Sequence, residues 1–398
     1  MKQLPLTGIT VVSIEHAIAA PYCTRQLADY GARVIKVERT GTGDFARGYD
    51  ERVKGISSHF VWTNRSKESI AVDLKTSTGL AILKQLIAKA DVFVQNLAPG
   101  AAARMGLDWD TLSAAHPGLI VCDISGYGDD PQQPGPYRDK RAYDLLIQGE
   151  SGFLSVTGTP EAPSKAGNSI ADISAGMYGL TNILAALIQR NQSGKGRRID
   201  ISMLESMAEW MGYPLYYTFD GAVAPVRTGA AHATIYPYGP FPAQGDESVL
   251  MGIQNDREWQ RFCQTVIERP ELARDDRFAQ NSSRVKNRAL LREIIVSVFR
   301  DFSATELINR LEASQIANAR MSDISDLWTH PQLTARKRWV DITTPVGKVP
   351  ALLPPGIRDI SDTQMMAVPA LGEHTRKILK ELNYSQQHIN EMSTNNII

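Results

Sequence analysis

The chain of 398 residues lacks the motifs of the common nucleotide-binding enzymes. After its first apolar run comes EHAIAAP, where a dinucleotide-binding protein would carry G-x-G-x-x-G. GTGD (41–44) and SGKGRR (193–198) contain glycines, but neither matches G-x-x-x-x-G-K-[ST], and both read as turns. An excess of one charge is missing too. Lys plus Arg and Asp plus Glu each number 43, which argues against a nucleic acid held by bulk charge. A local basic site for a phosphorylated ligand remains compatible with that balance. Cysteine is scarce: Cys23, Cys122 and Cys263 are odd in number and far apart, which fits reduced thiols and a cytoplasmic location. The seven histidines include no pair at helical metal-ligand spacing, so no metal is expected. The first residues, MKQLPLTGITVVS, lack the apolar run and cleavage site of a signal peptide. No run is read as approaching the ~20 apolar residues of a membrane span, so no membrane association is expected.

What the chain has is alternation. ITVVSI (9–14), ARVIKVE (32–38), SIAVDL (69–74), DVFVQN (91–96), LIVCDIS (119–125) and RRIDISM (197–203) are short β-branched runs. Helix-like stretches such as PYCTRQLADYG (21–31) and TGLAILKQLIAKA (78–90) lie between several of them. This order implies an α/β fold built from parallel βαβ units. Near residue 213 the composition turns to Tyr, Pro, Gly and Ala, and from 249 onward helical spacing dominates. The expected division is a large domain over 1–212, a linker and small domain over 213–335, and a C-terminal return over 336–398. PVGKVPALLPPGIRD (345–359) reads as a proline-rich connector, and 372–392 as one terminal amphipathic helix.

NSIADISAGMYGLTNILAALIQR (168–190) reads as a helix of small and aliphatic residues, with Asp172 near its start. By position Asp172 reads first as a helix cap, a role Ser169 could also fill. The same position favours an ionised carboxylate that could act as a nucleophile. Local sequence leaves both readings open.

Nine motifs in register bear on that choice: LTGITVVSIEHAIAAPYCTRQLADYGARVIKVER, GTGDFARG, NRSKESIAVDLK, QNLAPGAAARMGLDWDTL, ISGYG, IADISAGMYG, GKGRRIDISM, YPYGPF and NDREWQRFC. Together they resemble the class III CoA-transferase family, which includes formyl-CoA, carnitine and bile-acid CoA-transferases. The resemblance implies a Rossmann-like large domain, a smaller α+β domain and two chains interlocked like links. It implies no permanently bound cofactor, with coenzyme A entering as part of the substrate. It also implies that Asp172 is the nucleophile. His16, Arg39, Val72, Asn96, Leu97, Arg104, Met105, Arg141 and Tyr143 match CoA-lining positions, and Tyr143-Asp144 matches an aromatic–acidic pair near the reaction centre. Backbone amides of SGYG (125–128) or QGESG (148–152) are candidates for oxyanion donors.

Two rival functions share this framework. The α-methylacyl-CoA racemases use the Asp172 position for acid/base work, with a histidine where this chain has Tyr143. A tyrosine, with an ordinary pKa near ~10, suits neutral proton exchange poorly. A non-catalytic CoA-binding paralogue is the other. On substrate, the segments 14–39 and 227–241 resemble the branch that uses succinyl-CoA with itaconate, mesaconate or citramalate. Such acids need a partner for the distal carboxylate. Arg47, Arg227 and His232 are candidates.

Overall fold

The computed structural model describes residues 3–398. Met1 and Lys2, which open the segment read for a leader, lie outside them. The six β-branched runs become β1 (Thr10–Ile14), β2 (Arg33–Glu38), β3 (Lys67–Ala71), β4 (Val92–Gln95), β5 (Ile120–Ser125) and β6 (Arg198–Ser202). They form one sheet in the order β3-β2-β1-β4-β5-β6, every pair parallel. Parallel strands need crossovers that cover both faces, which is why runs such as VFVQ are buried at every position. The chain builds outward from β1 to β3, then returns to the other side of β1 as β4. The crevice beyond the ends of β1 and β4 is where sheets of this order receive ligands. Glu15–Ile18 and Asn96–Leu97 stand at that point.

Contacts divide the chain into two compact units. The first holds the sheet and comprises the chain up to Gly152, Ala166–Met211 and Thr334–Ile398. The second comprises Phe153–Lys165 and Gly212–Leu333. Nothing in the sequence set 153–165 apart from its neighbours. In the second unit β7 (Tyr238–Pro242), β8 (Ser248–Gly252) and β9 (Ala317–Arg320) form an antiparallel sheet. Its core is aromatic, with Phe241, Trp259, Phe262, Phe278 and Phe299 buried together.

Three helices of the first unit frame the candidate site: α1 (Ala19–Asp29), α2 (Asp144–Glu150) and α3 (Ile170–Ser193). α3 corrects one expectation, since its 24 residues are long and apolar enough, by length and composition, to cross a membrane. Half of its most apolar window is buried inside the fold. Its first buried residues, Ala171, Ser174, Ala175, Gly176 and Gly179, are all small.

The supposed connector at 345–359 is also corrected. β10 (Trp339–Thr344) and β11 (Gly347–Leu352) form an antiparallel hairpin that includes Pro350 opposite Asp341. A two-stranded ribbon has only edges, where a proline's missing N–H costs no internal ladder bond. The terminal helix is two, Thr375–Glu381 and Gln386–Thr394. Asn383 at φ 67° turns the chain between them, and the Ser385 side chain caps the second.

Candidate active site

Asp172 is not the cap of its helix. The N-cap of α3 is Ser169, whose side chain makes no capping bond, and Asp172 sits in the first turn. The orphan amide of Ala171 instead donates to Asp144 Oδ1 at 2.8 Å, from α2. The other oxygen of Asp144 accepts from Gln148 Nε2 at 2.7 Å, and Gln148 Oε1 accepts from the Ala166 amide at 2.9 Å. A carboxylate distant in sequence has taken the capping role. Asp172 accepts no hydrogen bond among the described residues. Burial, and then the charge of Asp144, push its carboxyl up to about 7.

The packing of α1 against α3 fixes what lies near Asp172. A side-chain carbon at Gly176 would meet Ala19 O at 2.7 Å and Tyr22 Cδ1 at 3.1 Å, and one at Gly179 would meet Cys23 Sγ at 3.2 Å. Moving forward along α3 therefore moves forward along α1. Asp172 lies one turn before Gly176 on the same face, level with the residues that lead into α1. There α1 begins at Ala19 with no side chain capping its first amides. Those amides are better placed as oxyanion donors than the glycines suggested by sequence. Gly128 N already donates to Ser125 Oγ at 2.9 Å, and Gly152 N to Gly149 O at 3.2 Å.

Tyr49 belongs to the same neighbourhood, although no sequence motif singled it out. Desolvation, then the charges of Asp44 and Asp172 and the nearby Tyr143, raise its phenol above the ordinary value. Tyr49 is 50% exposed and Tyr143 70% exposed, so both phenols remain reachable from solvent.

At the switch point, the Asn96 carboxamide clamps His16. Asn96 Oδ1 accepts from His16 N and Asn96 Nδ2 donates to His16 O, each at 2.9 Å. The polar atoms of the Asn96 side chain are thereby committed to the loop. The Leu97 amide is committed likewise, donating to Gln95 Oε1 at 2.7 Å. The His16 ring lies 4.7 Å from Phe45, and its buried Nδ1 has no hydrogen-bond partner. Burial holds the imidazole below its ordinary pKa despite Asp44 nearby. Arg39 stacks over the same Phe45 ring at 4.8 Å, so one exposed phenyl joins two of the expected CoA residues. Phe45 itself was missed, its signal being an aromatic directly after GTGD.

Arg104 and Arg141 are exposed and make no ion pair among the described residues. Both suit a phosphate. Val72 is 1% exposed and Met105 packs against the same core, so Val72 cannot present its side chain to a ligand. Arg47 is spent on structure: Nε and Nη2 each bond Glu38 at 2.8 Å, and its plane lies 3.7 Å from the Phe60 centroid. In the second unit, Arg227 donates to Thr159 O at 2.9 Å and Pro160 O at 3.1 Å. It pins a turn, so both arginines have guanidinium donors committed within the fold. His232 is stacked on Tyr238, and its Nδ1 accepts from the Thr234 and Ile235 amides at 3.1 and 3.0 Å. The neutral ring therefore carries its proton on Nε2, which keeps a free donor.

The pattern of CoA-transferase family III matches residues 6–375. The chain is 35% identical to a succinate–glutarate CoA-transferase of Agrobacterium fabrum, over 96% of each chain. It is 31% identical to the succinyl-CoA–D-citramalate CoA-transferase of Chloroflexus aurantiacus, over 95% of this chain and 94% of that one. A crystal structure of a CaiB/BaiF family protein from Brucella suis matches with a TM-score of 0.83 at 33% identity, covering 96% of this chain and 100% of that one.

Proposed function

The chain belongs to CoA-transferase family III, and from that premise we propose that it moves CoA from succinyl-CoA to a small dicarboxylic acid, with Asp172 as nucleophile. One observation carries the reading. Asp172 is a half-buried carboxylate without hydrogen-bond partners among the described residues, and the capping duty is discharged by Asp144. A carboxyl at about 7 is substantially ionised at neutral pH and more basic than an ordinary aspartate.

The ionised Asp172 attacks the thioester carbonyl and expels CoA thiolate, leaving a succinyl-aspartyl anhydride. The thiolate attacks the aspartyl carbonyl of that anhydride, releasing succinate and forming an aspartyl-CoA thioester. The acceptor carboxylate then attacks this thioester, again expelling the thiolate, which takes the acceptor's acyl group and frees Asp172. Each step exchanges one acyl–oxygen or acyl–sulfur bond for another, and the thioester stores the activation throughout. The uncapped amides at the start of α1 are the donors we assign to the tetrahedral oxyanions. Arg39, Arg104 and Arg141 serve the phosphates of CoA, with Phe45 and His16 beside the nucleotide.

Relatives are named for glutarate and citramalate, the sequence resemblance points to itaconate, mesaconate and citramalate, and all of these are short dicarboxylates. His232 is our candidate for the distal carboxylate, because Arg47 and Arg227 are engaged elsewhere. His232→Ala is expected to raise KM for dicarboxylates and leave monocarboxylates unaffected; equal losses would remove it from acceptor binding. A racemase would need a second group titrating near neutrality beside Asp172. Position 143 carries a tyrosine instead of the racemases' histidine, and Asp144 is held by two donors. We further infer a homodimer in the cytoplasm. Tyr216, Phe219 and Val223 are each more than three-quarters exposed, and the three thiols are buried and unpaired. The test is appearance of a new dicarboxyl-CoA from succinyl-CoA that Asp172→Asn abolishes.

A further inference from the structure

Ala17 has a φ of 63°, in the left-handed region that a residue with a Cβ seldom occupies. Such a conformation persists only where the surroundings over-determine it. Here three consecutive residues are each held by side chains from elsewhere. Glu15 is fully buried and accepts from Lys67 Nζ and Thr24 Oγ1, each at 2.7 Å. His16 is clamped front and back by Asn96. The Ala17 amide donates to Asp44 Oδ1 at 2.9 Å. Asp44 is itself fixed: Oδ1 also accepts from Ala46 N at 2.9 Å, Oδ2 takes the fully buried Lys36 Nζ at 2.6 Å, and the Asp44 amide donates to Glu38 at 3.0 Å. Immediately beyond Ala17 come the uncapped amides of α1, level with Asp172. The glycine turn GTGD, read from sequence as a turn only, delivers Asp44 to this place.

We propose that Asp44 is a positioning residue for the transfer reaction, holding the left-handed turn at Ala17 and thereby aiming the first amides of α1, with Lys36 fixing Asp44. The inference rests on the reading of Asp172 as nucleophile. The bond that matters is the one accepted from Ala17 N. The charge on Asp44 serves to pair with Lys36. Removing Asp44 alone would leave the buried Lys36 ammonium with only Glu15 at 3.5 Å, which can disrupt the site for an unrelated reason. The test therefore uses two double variants of equal charge. Asp44→Asn/Lys36→Met keeps an acceptor for the Ala17 amide, whereas Asp44→Leu/Lys36→Met provides none.

Both are compared with the unaltered protein by thermal melting, by steady-state transfer from succinyl-CoA, and by hydrogen exchange of peptides covering residues 16–27. The Asn/Met protein is expected to keep kcat within about threefold. The Leu/Met protein should melt at the same temperature, lose kcat by about a hundredfold, and exchange the Ala17 segment faster. Adding Ala17→Gly to the Leu/Met pair is expected to restore part of kcat, because glycine adopts the turn without the clamp. Equal kcat and equal exchange in the two doubles would overturn the proposal, as would a loss that simply follows melting temperature. If the unaltered protein transfers no CoA while exchange still separates the doubles, the functional reading fails and the clamp on the loop stands.

Discussion

In the role proposed for Asp172 two demands conflict, because the desolvation that sharpens a nucleophile also penalises its charge. The carboxyl rises from an ordinary 3.8 to about 7. Activity should follow the ionised form, so kcat/KM for the acyl-CoA is expected to fall about tenfold per pH unit below 7. In Asp144→Asn the neighbouring charge is gone while an oxygen for the Ala171 amide remains. The acid limb should shift to lower pH, with about 1 kcal/mol of stability lost where Gln148 loses its acceptor. An unmoved limb would remove Asp144 from the electrostatics. Stability gives an independent check. A folded pKa above the unfolded one costs nothing below pH 3.8, costs progressively more up to about 7, and is constant beyond. Asp172→Asn should therefore melt with the unaltered protein near pH 4 and a few degrees above it at pH 8. The sequence allowed Asp172 both roles because a cap and a nucleophile want the same end of a helix. The residue that takes the capping role, Asp144, lies 27 positions from the Ala171 amide it caps, beyond the reach of any local pattern.

Between elements, the α1–α3 contact is the joint that sets Asp172 against the β1–α1 loop. Gly176 has no room for a side chain, since its Cβ would stand 2.7 Å from Ala19 O. Alanine favours a helix over glycine by about 1 kcal/mol, so on propensity alone Gly176→Ala should stabilise. Packing predicts the opposite: a loss of about 1–3 kcal/mol as α1 is pushed off, with kcat falling along with it. Thermal melts and initial rates separate the two outcomes. The six parallel strands were legible because a sheet covered on both faces needs uninterrupted β-branched runs. The β10–β11 hairpin was not, because Pro350 and its neighbours look the same in a connector and in an edge strand. Asp44 was hidden for a related reason. GTGD has turn composition, and only the fold shows that the turn carries a carboxylate to the Ala17 amide.

Across the chain, the shift in composition near residue 213 suggests a second body, and in the structure the second unit resumes at Gly212. The return of 153–165 to that unit left no compositional trace. Light scattering on the eluting protein is expected to give twice the chain mass of 43.8 kDa. A mass of one chain would withdraw the dimer and leave the exposed aromatics of 213–219 unexplained.

The proposed transfer turns on whether Asp172 carries CoA. Mass spectrometry of the protein mixed with succinyl-CoA, with glutarate, citramalate, itaconate and mesaconate supplied separately, answers it. A new dicarboxyl-CoA is expected in solution, together with a CoA thioester on the peptide containing Asp172, and both should vanish in Asp172→Asn. Transfer that persists in that variant, or an adduct on another residue, would contradict the assignment of Asp172 as nucleophile.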